Sequence, residues 1–246
     1  NVPTDLWIGG KWRKSSDGQR FDVIDPATER KVASVASATV EDAIAALDAA
    51  EAAFPGWAAR KPRERGEILR KAFELIMRDA ERLAKLITVE NGKALPDSRG
   101  EVAYAAEFFR WNAEEAVRNL GSFSTAPSSG ARILVQHKPA GIAVLVTPWN
   151  FPAAMATRKI GPALAAGCPC VLKPASETPL TMLALMPILE EAGVPAGVVN
   201  VIPSRRSGPV VSAMLHDPRV RVVSFTGSTE VGRKLLHEAA DGVVKP

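Results

Sequence analysis

Four polar residues of this chain, Thr147, Asn150, Lys173 and Ser176, each stand just past a short run of branched apolar residues. The first run, Ile142 to Val146, carries no polar face, as a strand buried on both sides would, and Pro148 and Pro152 end it because neither can donate to a ladder. Val171 and Leu172 predict the next buried strand, which Lys173-Pro174 closes. The residues between Pro152 and Gly167 suit a short helix with a break near Pro162. Strand, helix and strand within roughly thirty residues make a βαβ unit. Open α/β sheets bind ligands just beyond the carboxyl ends of their strands, so the four polar residues form a candidate site.

A third stretch, Phe225 to Lys234, offers a related chemistry. It reads F-T-G-S-T-E-V-G-R-K after an apolar run. Gly227 permits a tight turn or a close approach by a ligand, Ser228 or Thr226 can cap a helix, and Glu230 falls in the first turn. The start of such a helix presents free N–H groups to an anion such as pyrophosphate. Two phosphate-binding fingerprints nearly fit and fail: Thr229 stands where G-x-G-x-x-G needs glycine, and Arg233-Lys234 stand where a P-loop needs Lys-Ser or Lys-Thr. A glycine turn capped by serine explains this stretch alone equally well.

The elements that must position these stretches follow the same local rules. Leu6 to Ile8 and Lys11 to Arg13 flank Gly9-Gly10, a two-residue hairpin signal. Phe21 to Ile24 and Lys31 to Val35 read as further extended pieces. Thr39 and Asp42 predict the capped start of a helix that Pro55-Gly56 ends. Pro62 opens a second helical stretch, which Asn91-Gly92 closes, and Ser98 to Val117 is a third. Its aromatics, Tyr104, Phe108, Phe109 and Trp111, recur at helical spacing and predict core positions. Gly121 to Gly130, rich in Ser, Thr and Gly, is the clearest internal boundary, and Arg132 to His137 is expected to be extended. After Ser176 the alternation continues: helix over 181–191, strand over 198–202, helix over 208–215, strand over 220–225 and helix over 228–240.

Bulk properties narrow the function. With 46% hydrophobic and 24% charged residues in 246, the chain can bury a core in one or two domains. The net charge of +4 is spread among acidic residues, with no basic–aromatic interleaving, which argues against nucleic acid. Cys168 and Cys170, two apart with only His137, His216 and His237 elsewhere, make neither a disulfide nor a metal set. They read as small buried thiols. No stretch resembles a signal peptide or an apolar membrane span of ~20 residues, so a cytoplasmic setting is expected.

Taken in order, T-P-W-N-F-P at 147–152, K-P-A-S-E-T-P at 173–179 and F-T-G-S-T-E-V-G at 225–232 resemble the aldehyde dehydrogenase superfamily. The longer T-R-K-I-G-P-A-L-A-A-G-C at 157–168 is similar to its succinate-semialdehyde dehydrogenases. The resemblance runs from Leu6 to the last residue and covers about the first half of such an enzyme. It implies an α/β fold: a Rossmann-like open twisted sheet with flanking helices, preceded by an N-terminal hairpin and a helical segment. Residues 1–120 would pack on the cofactor domain, 121–140 would be an extended connecting and oligomerisation segment, and 141–246 the dinucleotide-binding core. In the family a cysteine thiolate attacks the aldehyde, hydride passes to the nicotinamide, and water activated by glutamate releases the acid. The cysteine, and the glutamate in an L-E-L-G-G motif, are expected beyond Pro246. Residues 1–246 alone are therefore expected to bind NADP weakly, to self-associate and to show no aldehyde oxidation.

The resemblance also implies roles for particular residues. Asn150 would help stabilise the oxyanion, Trp149 would lie at the pyrophosphate, and Lys173, followed by Pro174 and Ala175, would reach the adenosine ribose hydroxyls or 2′-phosphate. Gly227 and Ser228 would meet the pyrophosphate, and Arg158 would pair with the far carboxylate of succinate semialdehyde. Many NAD-using relatives carry glutamate where this chain has Ser176, so NADP is expected over NAD, with Arg205 and Arg206 near the 2′-phosphate. The expected partners are the small aldehyde and further copies of the chain. Two other readings stay open: a dehydrogenase for another aldehyde such as glutarate semialdehyde, and a non-catalytic nucleotide-binding or assembly module.

Overall fold

The computed structural model describes residues 2–246. Leu6–Ile8 (β1) and Lys11–Arg13 (β2) form the first hairpin, with Gly9 at φ 62° and Gly10 at φ 75°, as a two-residue turn of this hand requires. Arg20–Ile24 (β3) and Lys31–Ala36 (β4) form a second hairpin apart from the main sheet. Val40–Ala58 (α1) begins with a complete capping box: Asp42 N–H donates to the Thr39 hydroxyl at 3.2 Å and the Asp42 carboxylate accepts from Thr39 N–H at 2.9 Å.

Pro55 does not end α1. The helix continues to Ala58, because a proline removes a single N–H and Trp57, fully buried, anchors the last turn in the core. Pro62–Arg78 (α2) starts with proline where its missing N–H costs nothing, and Ala80–Asn91 (α3) stops at Gly92, whose φ is 79°. Leu95–Glu115 (α4) buries Phe109, but Tyr104 is 42% and Trp111 60% exposed. The stripe of α4 that faces the core is mostly small, with Val102, Ala105, Ala106 and Ala113, so two of the expected core aromatics lie off it.

Ser122–Thr125 (β5) and Arg132–Val135 (β6) pair only with each other, and every residue of both is exposed. From there strands and helices alternate: Ile142–Val146 (β7), Ala154–Ala165 (α5), Cys170–Lys173 (β8), Leu180–Ala192 (α6), Val199–Val201 (β9), Ser207–Leu215 (α7), Val220–Phe225 (β10) and Thr229–Asp241 (α8). The break expected near Pro162 is absent; α5 runs through it, again for the loss of a single N–H.

The main sheet has the order β10-β7-β8-β9-β1-β2. The first three pairings are parallel, and β1 joins β9 antiparallel, so the N-terminal hairpin closes one edge of the sheet. Alternate residues of β7 enter different cores: Ala143 and Leu145 pack with α2, α4, α5 and α6, whereas Ile142, Val144 and Val146 pack with α1 and α7. A strand covered on both faces must be apolar throughout, which is the pattern read in 142–146. At the other edge Lys245 continues the sheet, accepting from Val223 N–H at 2.8 Å and donating to the Arg221 carbonyl at 3.0 Å. Cys168 and Cys170 are free and buried, and burial, then the neighbouring Cys168, pushes the Cys170 thiol up. No helix among the described residues is long and apolar enough to cross a membrane.

Candidate nucleotide and aldehyde site

The chain leaves β7 toward β8 and β9 on one side and returns through α7, on the opposite face, to place β10 on the other side of β7. β7 and β10 stay paired to their last residues, but the chain leaves them toward opposite faces, to α5 and to α8, and at such a switch point a crevice opens. A cleft of about 370 Å³ lies there. Its polar floor holds Thr147, Lys173, Ser176 and Ser228, and Trp149, Ala175 and Gly227 complete that side. Val211 on α7 and Val231 and Leu235 on α8 supply an apolar wall, and the first residues of α7, Ser207 and Gly208, line the cleft as well. Of the residues expected from sequence, Pro174 is buried and does not line the cleft, and Asn150 and Arg158 lie outside it.

Lys173 is 6% exposed, and its ammonium has no hydrogen bond or ion pair among the described residues. Burial pushes it down to about 8, against a smaller upward pull from Glu177. A buried, unpaired cation facing a cleft is costly unless an anion or a set of hydroxyls arrives to pair with it. The Ser176 hydroxyl lies 3.2 Å from a Glu177 carboxylate oxygen, and both residues also line a second hollow of about 340 Å³ with Trp149 and Arg205. Arg205 stacks over Phe21 at 5.6 Å. Arg206, expected beside it, is instead ion-paired with Asp17, which holds it away from both hollows.

Gly227 owes its identity to packing. A Cβ there would come within 2.4 Å of the Phe225 ring, which lies folded under the turn against Gly227 and Gly232. Its φ is not in the left-handed region, so of the two roles open in the sequence the close approach is made by a side chain of the chain itself. Ser228 caps α8 by accepting from Val231 N–H at 3.4 Å.

The loop 147–152 is held from the helical layer. The Trp149 carbonyl accepts from Asn91 Nδ2 at 2.8 Å and from the Thr178 hydroxyl at 3.3 Å, and the Asn150 carbonyl accepts from Lys93 Nζ at 3.0 Å. The Asn150 side chain is exposed and makes no hydrogen bond among the described residues. Neither α5 nor α6 has a capping side chain of its own. Glu101, paired with Lys93, accepts from Ala153 N–H at 2.9 Å and Ala154 N–H at 3.3 Å, and Glu90 accepts from Leu180 and Thr181 N–H at 2.8 Å each. At the far end of α5, Arg65 Nε donates to the Ala165 carbonyl at 3.1 Å. Each charge has the sign that suits its helix end. The Glu90 carboxyl is pushed up to about 7 by burial, opposed by its bonds to Thr181 and Leu180.

Arg158, on α5, donates to the Tyr104 hydroxyl at 2.8 Å and lies 5.2 Å from the centre of the Phe108 ring. It is exposed and has no carboxylate partner among the described residues. Lys159 turns inward and donates to the Ser224 hydroxyl at 2.9 Å; burial, then the charge of Arg158, pushes it down to about 8.

Sequence reasoning missed Glu90, Lys93 and Glu101, and the apolar wall on α7 and α8. The signal for the two glutamates was in the helix pattern: Glu90 falls three residues after Ile87, and Glu101 three after Ser98 and four before Ala105, all on buried stripes.

Residues 12–246 match the model of the aldehyde dehydrogenase family. A succinate-semialdehyde dehydrogenase of Paenarthrobacter nicotinovorans is 54% identical over 214 residues, 87% of this chain and 48% of that protein. A glutarate-semialdehyde dehydrogenase of Pseudomonas putida is 44% identical, covering 97% of this chain and 50% of that protein. The crystal structure of an NADP-dependent enzyme from Escherichia coli superposes with a TM-score of 0.96 at 44% identity, over 99% of this chain and 50% of that one. The chain thus spans about half the length of the curated relatives it matches. A switch-point cleft on a Rossmann-like sheet, with all three signature loops at its rim and a family match over nearly the whole length, places this chain in the aldehyde dehydrogenase family.

Proposed function

We propose that the protein oxidises succinate semialdehyde to succinate with NADP, and that this chain supplies the nucleotide site, an oxyanion donor and the arginine that receives the substrate carboxylate. The observation that carries the reading is the unpaired, buried Lys173 in a cleft that also has an apolar wall. An adenosine phosphate suits both halves: the adenine ring lies against Val211, Val231 and Leu235, while ribose hydroxyls or a 2′-phosphate pair with Lys173 and Ser176. Pro174 and Ala175 hold that loop, and Trp149, Gly227 and Ser228 line the path of the pyrophosphate toward the start of α8. NADP is favoured over NAD because position 176 is a small hydroxyl, although Glu177 stands beside it. When bound, the nicotinamide accepts the hydride.

In this reading the residues of the chain orient and stabilise. The Asn150 amide, exposed and unpaired, donates to the oxyanion; one such donor is worth about 3 kcal/mol of barrier. Arg158 keeps N–H donors free beyond the one on Tyr104, and its stack on two aromatic rings leaves a planar fork open to a carboxylate. The similarity to a glutarate-semialdehyde dehydrogenase supports a second reading, in which the same arginine receives the longer acid. We assign residues 121–140 to self-association, since β5 and β6 expose Phe123 at 66% and Leu134 at 67%.

Arg158→Ala in the full-length protein tests the substrate assignment. KM for succinate semialdehyde rises roughly 10- to 100-fold, the worth of a charge-assisted hydrogen bond, while KM for butanal stays within about threefold. Equal effects on both aldehydes would make Arg158 a packing residue. A higher kcat/KM for glutarate semialdehyde would select the second reading, and no NADPH formation with any aldehyde would leave a nucleotide-binding module.

A further inference from the structure

The end of α3 and the turn after it read Glu90-Asn91-Gly92-Lys93, and the three side chains end on the 147–152 loop and on the start of α6, which follows the 173–179 loop. Gly92 has φ 79°, and a Cβ there would lie 2.7 Å from the ring of Pro26, so the turn keeps this shape only with glycine. Glu90 fixes the start of α6, which ends the loop that carries Lys173 and Ser176. Asn91 holds the Trp149 carbonyl and Lys93 the Asn150 carbonyl. The Lys93 ammonium also stands 3.8 Å from the centre of the Phe151 ring and pairs with Glu101, whose other oxygen takes the N–H groups of Ala153 and Ala154. Trp149, Asn150, Phe151 and Ala153 are thus gripped one after another from the same side.

A helix start needs far less than this. Thr39 and Asp42 cap α1 from within three residues, whereas the cap of α5 comes from α4 and brings a lysine that reaches past it to the Asn150 carbonyl. The Asn150 side chain has no partner of its own, so its direction is inherited from the backbone that Asn91 and Lys93 hold. Misplacing a reacting group by about 1 Å costs ~100-fold in rate.

We propose that Asn91, Lys93 and Glu101 are positioning residues that aim the Asn150 amide at the reacting carbonyl. The proposal rests on the reading of Asn150 as oxyanion donor given above. It is tested in the full-length protein with Asn91→Ala, Lys93→Met and the pair Lys93→Met/Glu101→Gln, which removes both charges together and strands neither. Lys85→Met, in an exposed ion pair with Glu81, is the surface control. The first measurement is backbone hydrogen exchange over residues 149–155 without ligand, which rises roughly tenfold in both Lys93 variants and stays unchanged in Lys85→Met. Unchanged exchange in the Lys93 variants overturns the proposal whatever the activity. The second is kcat at saturating NADP and succinate semialdehyde, which falls ~10- to 100-fold in Lys93→Met with the NADP Kd within about twofold. Placed on an Asn150→Ala background, the same substitution has no further effect, because a chain of dependence is non-additive. An equal loss on that background would show that Lys93 acts by another route and would overturn the proposal. If the unmodified protein oxidises no aldehyde, the proposed reaction fails, and hydrogen exchange alone decides whether the grip holds the loop.

Discussion

Four helices follow strands at the carboxyl end of the sheet, and their N-termini divide into two kinds. Those of α5 and α6 are filled by buried carboxylates from the helical layer, Glu101 and Glu90. Those of α7 and α8 line the cleft and receive no carboxylate from the helical layer: Arg206 leads into α7 with no side-chain cap, and α8 has the hydroxyl of Ser228 and, in its own first turn, an exposed Glu230 paired with Lys234. All four carry the same partial positive charge and orphan N–H groups. The protein has filled two of them with carboxylates from distant helices and left two facing the cleft. The contrast argues that an anion entering this crevice meets α7 and α8, and that α5 and α6 serve as supports for the loops before them.

The largest effect should come from unplugging a filled terminus. Glu101→Ala strands Lys93 and two helix N–H groups, and removal of one partner of a buried pair costs about 3–5 kcal/mol. A fall of that size in the unfolding free energy, with the NADP Kd within roughly threefold, keeps the two kinds of terminus distinct. A large loss of nucleotide affinity without destabilisation would collapse the distinction.

Next is the cation at the open end. Lys173→Met should weaken NADP binding ~10- to 100-fold without lowering stability, since no protein partner is lost. The pH dependence carries a sign. Free Lys173, held down to about 8, loses its proton as pH rises through that value, while a bound phosphate favours the charged form. Binding therefore takes up a proton in the window above about 8, and the affinity of the unaltered protein declines from pH 7 to pH 10 while that of Lys173→Met does not. Calorimetry in buffers of different ionisation heat reads the uptake directly, and a parallel decline in both proteins would remove Lys173 from the site.

A smaller change sharpens the choice of ligand. Ser176→Glu should move the NADP-to-NAD preference by roughly tenfold toward NAD, by accepting from ribose hydroxyls and repelling a 2′-phosphate. Equal or better use of NAD by the unaltered protein would reverse the cofactor assignment, with Glu177 as the residue to examine. Smallest is Ser228→Ala, a single cap at an exposed helix start, with an expected loss of about 1 kcal/mol in stability.

What could be read in advance follows from how far each interaction reaches along the chain. Thr39 with Asp42, Gly9-Gly10, and Pro62 at a helix start are decided within a few residues, and the structure has them where the sequence puts them. The apolar runs of β7 and β8 are equally legible, since burial on both faces leaves only one kind of side chain. Pro55 and Pro162 mislead because buried residues just beyond each, Trp57 and Leu164, hold the helix in the core, and that packing outweighs one missing hydrogen bond. Trp111 misleads for the reverse reason: helical spacing shows that residues share a face and leaves open what covers it. In the site, the three loops could be named from their motifs, but the caps of α5 and α6 could not. Glu101 lies 52 residues from Ala153 and Glu90 lies 90 from Leu180, and no local pattern joins them.

That separation bears on how the protein can be taken apart and recombined. The Ser-, Thr- and Gly-rich stretch at 121–130 is the natural place to splice two homologues, exchanging everything that follows it as a block. Such a hybrid would draw α5 and α6 from one parent and Glu90, Glu101 and Arg65 from the other. Its success would depend on whether the two parents share those three charges, and on the fit of β1 on β9 and of α2 and α4 on α5 and α6, all far from the seam.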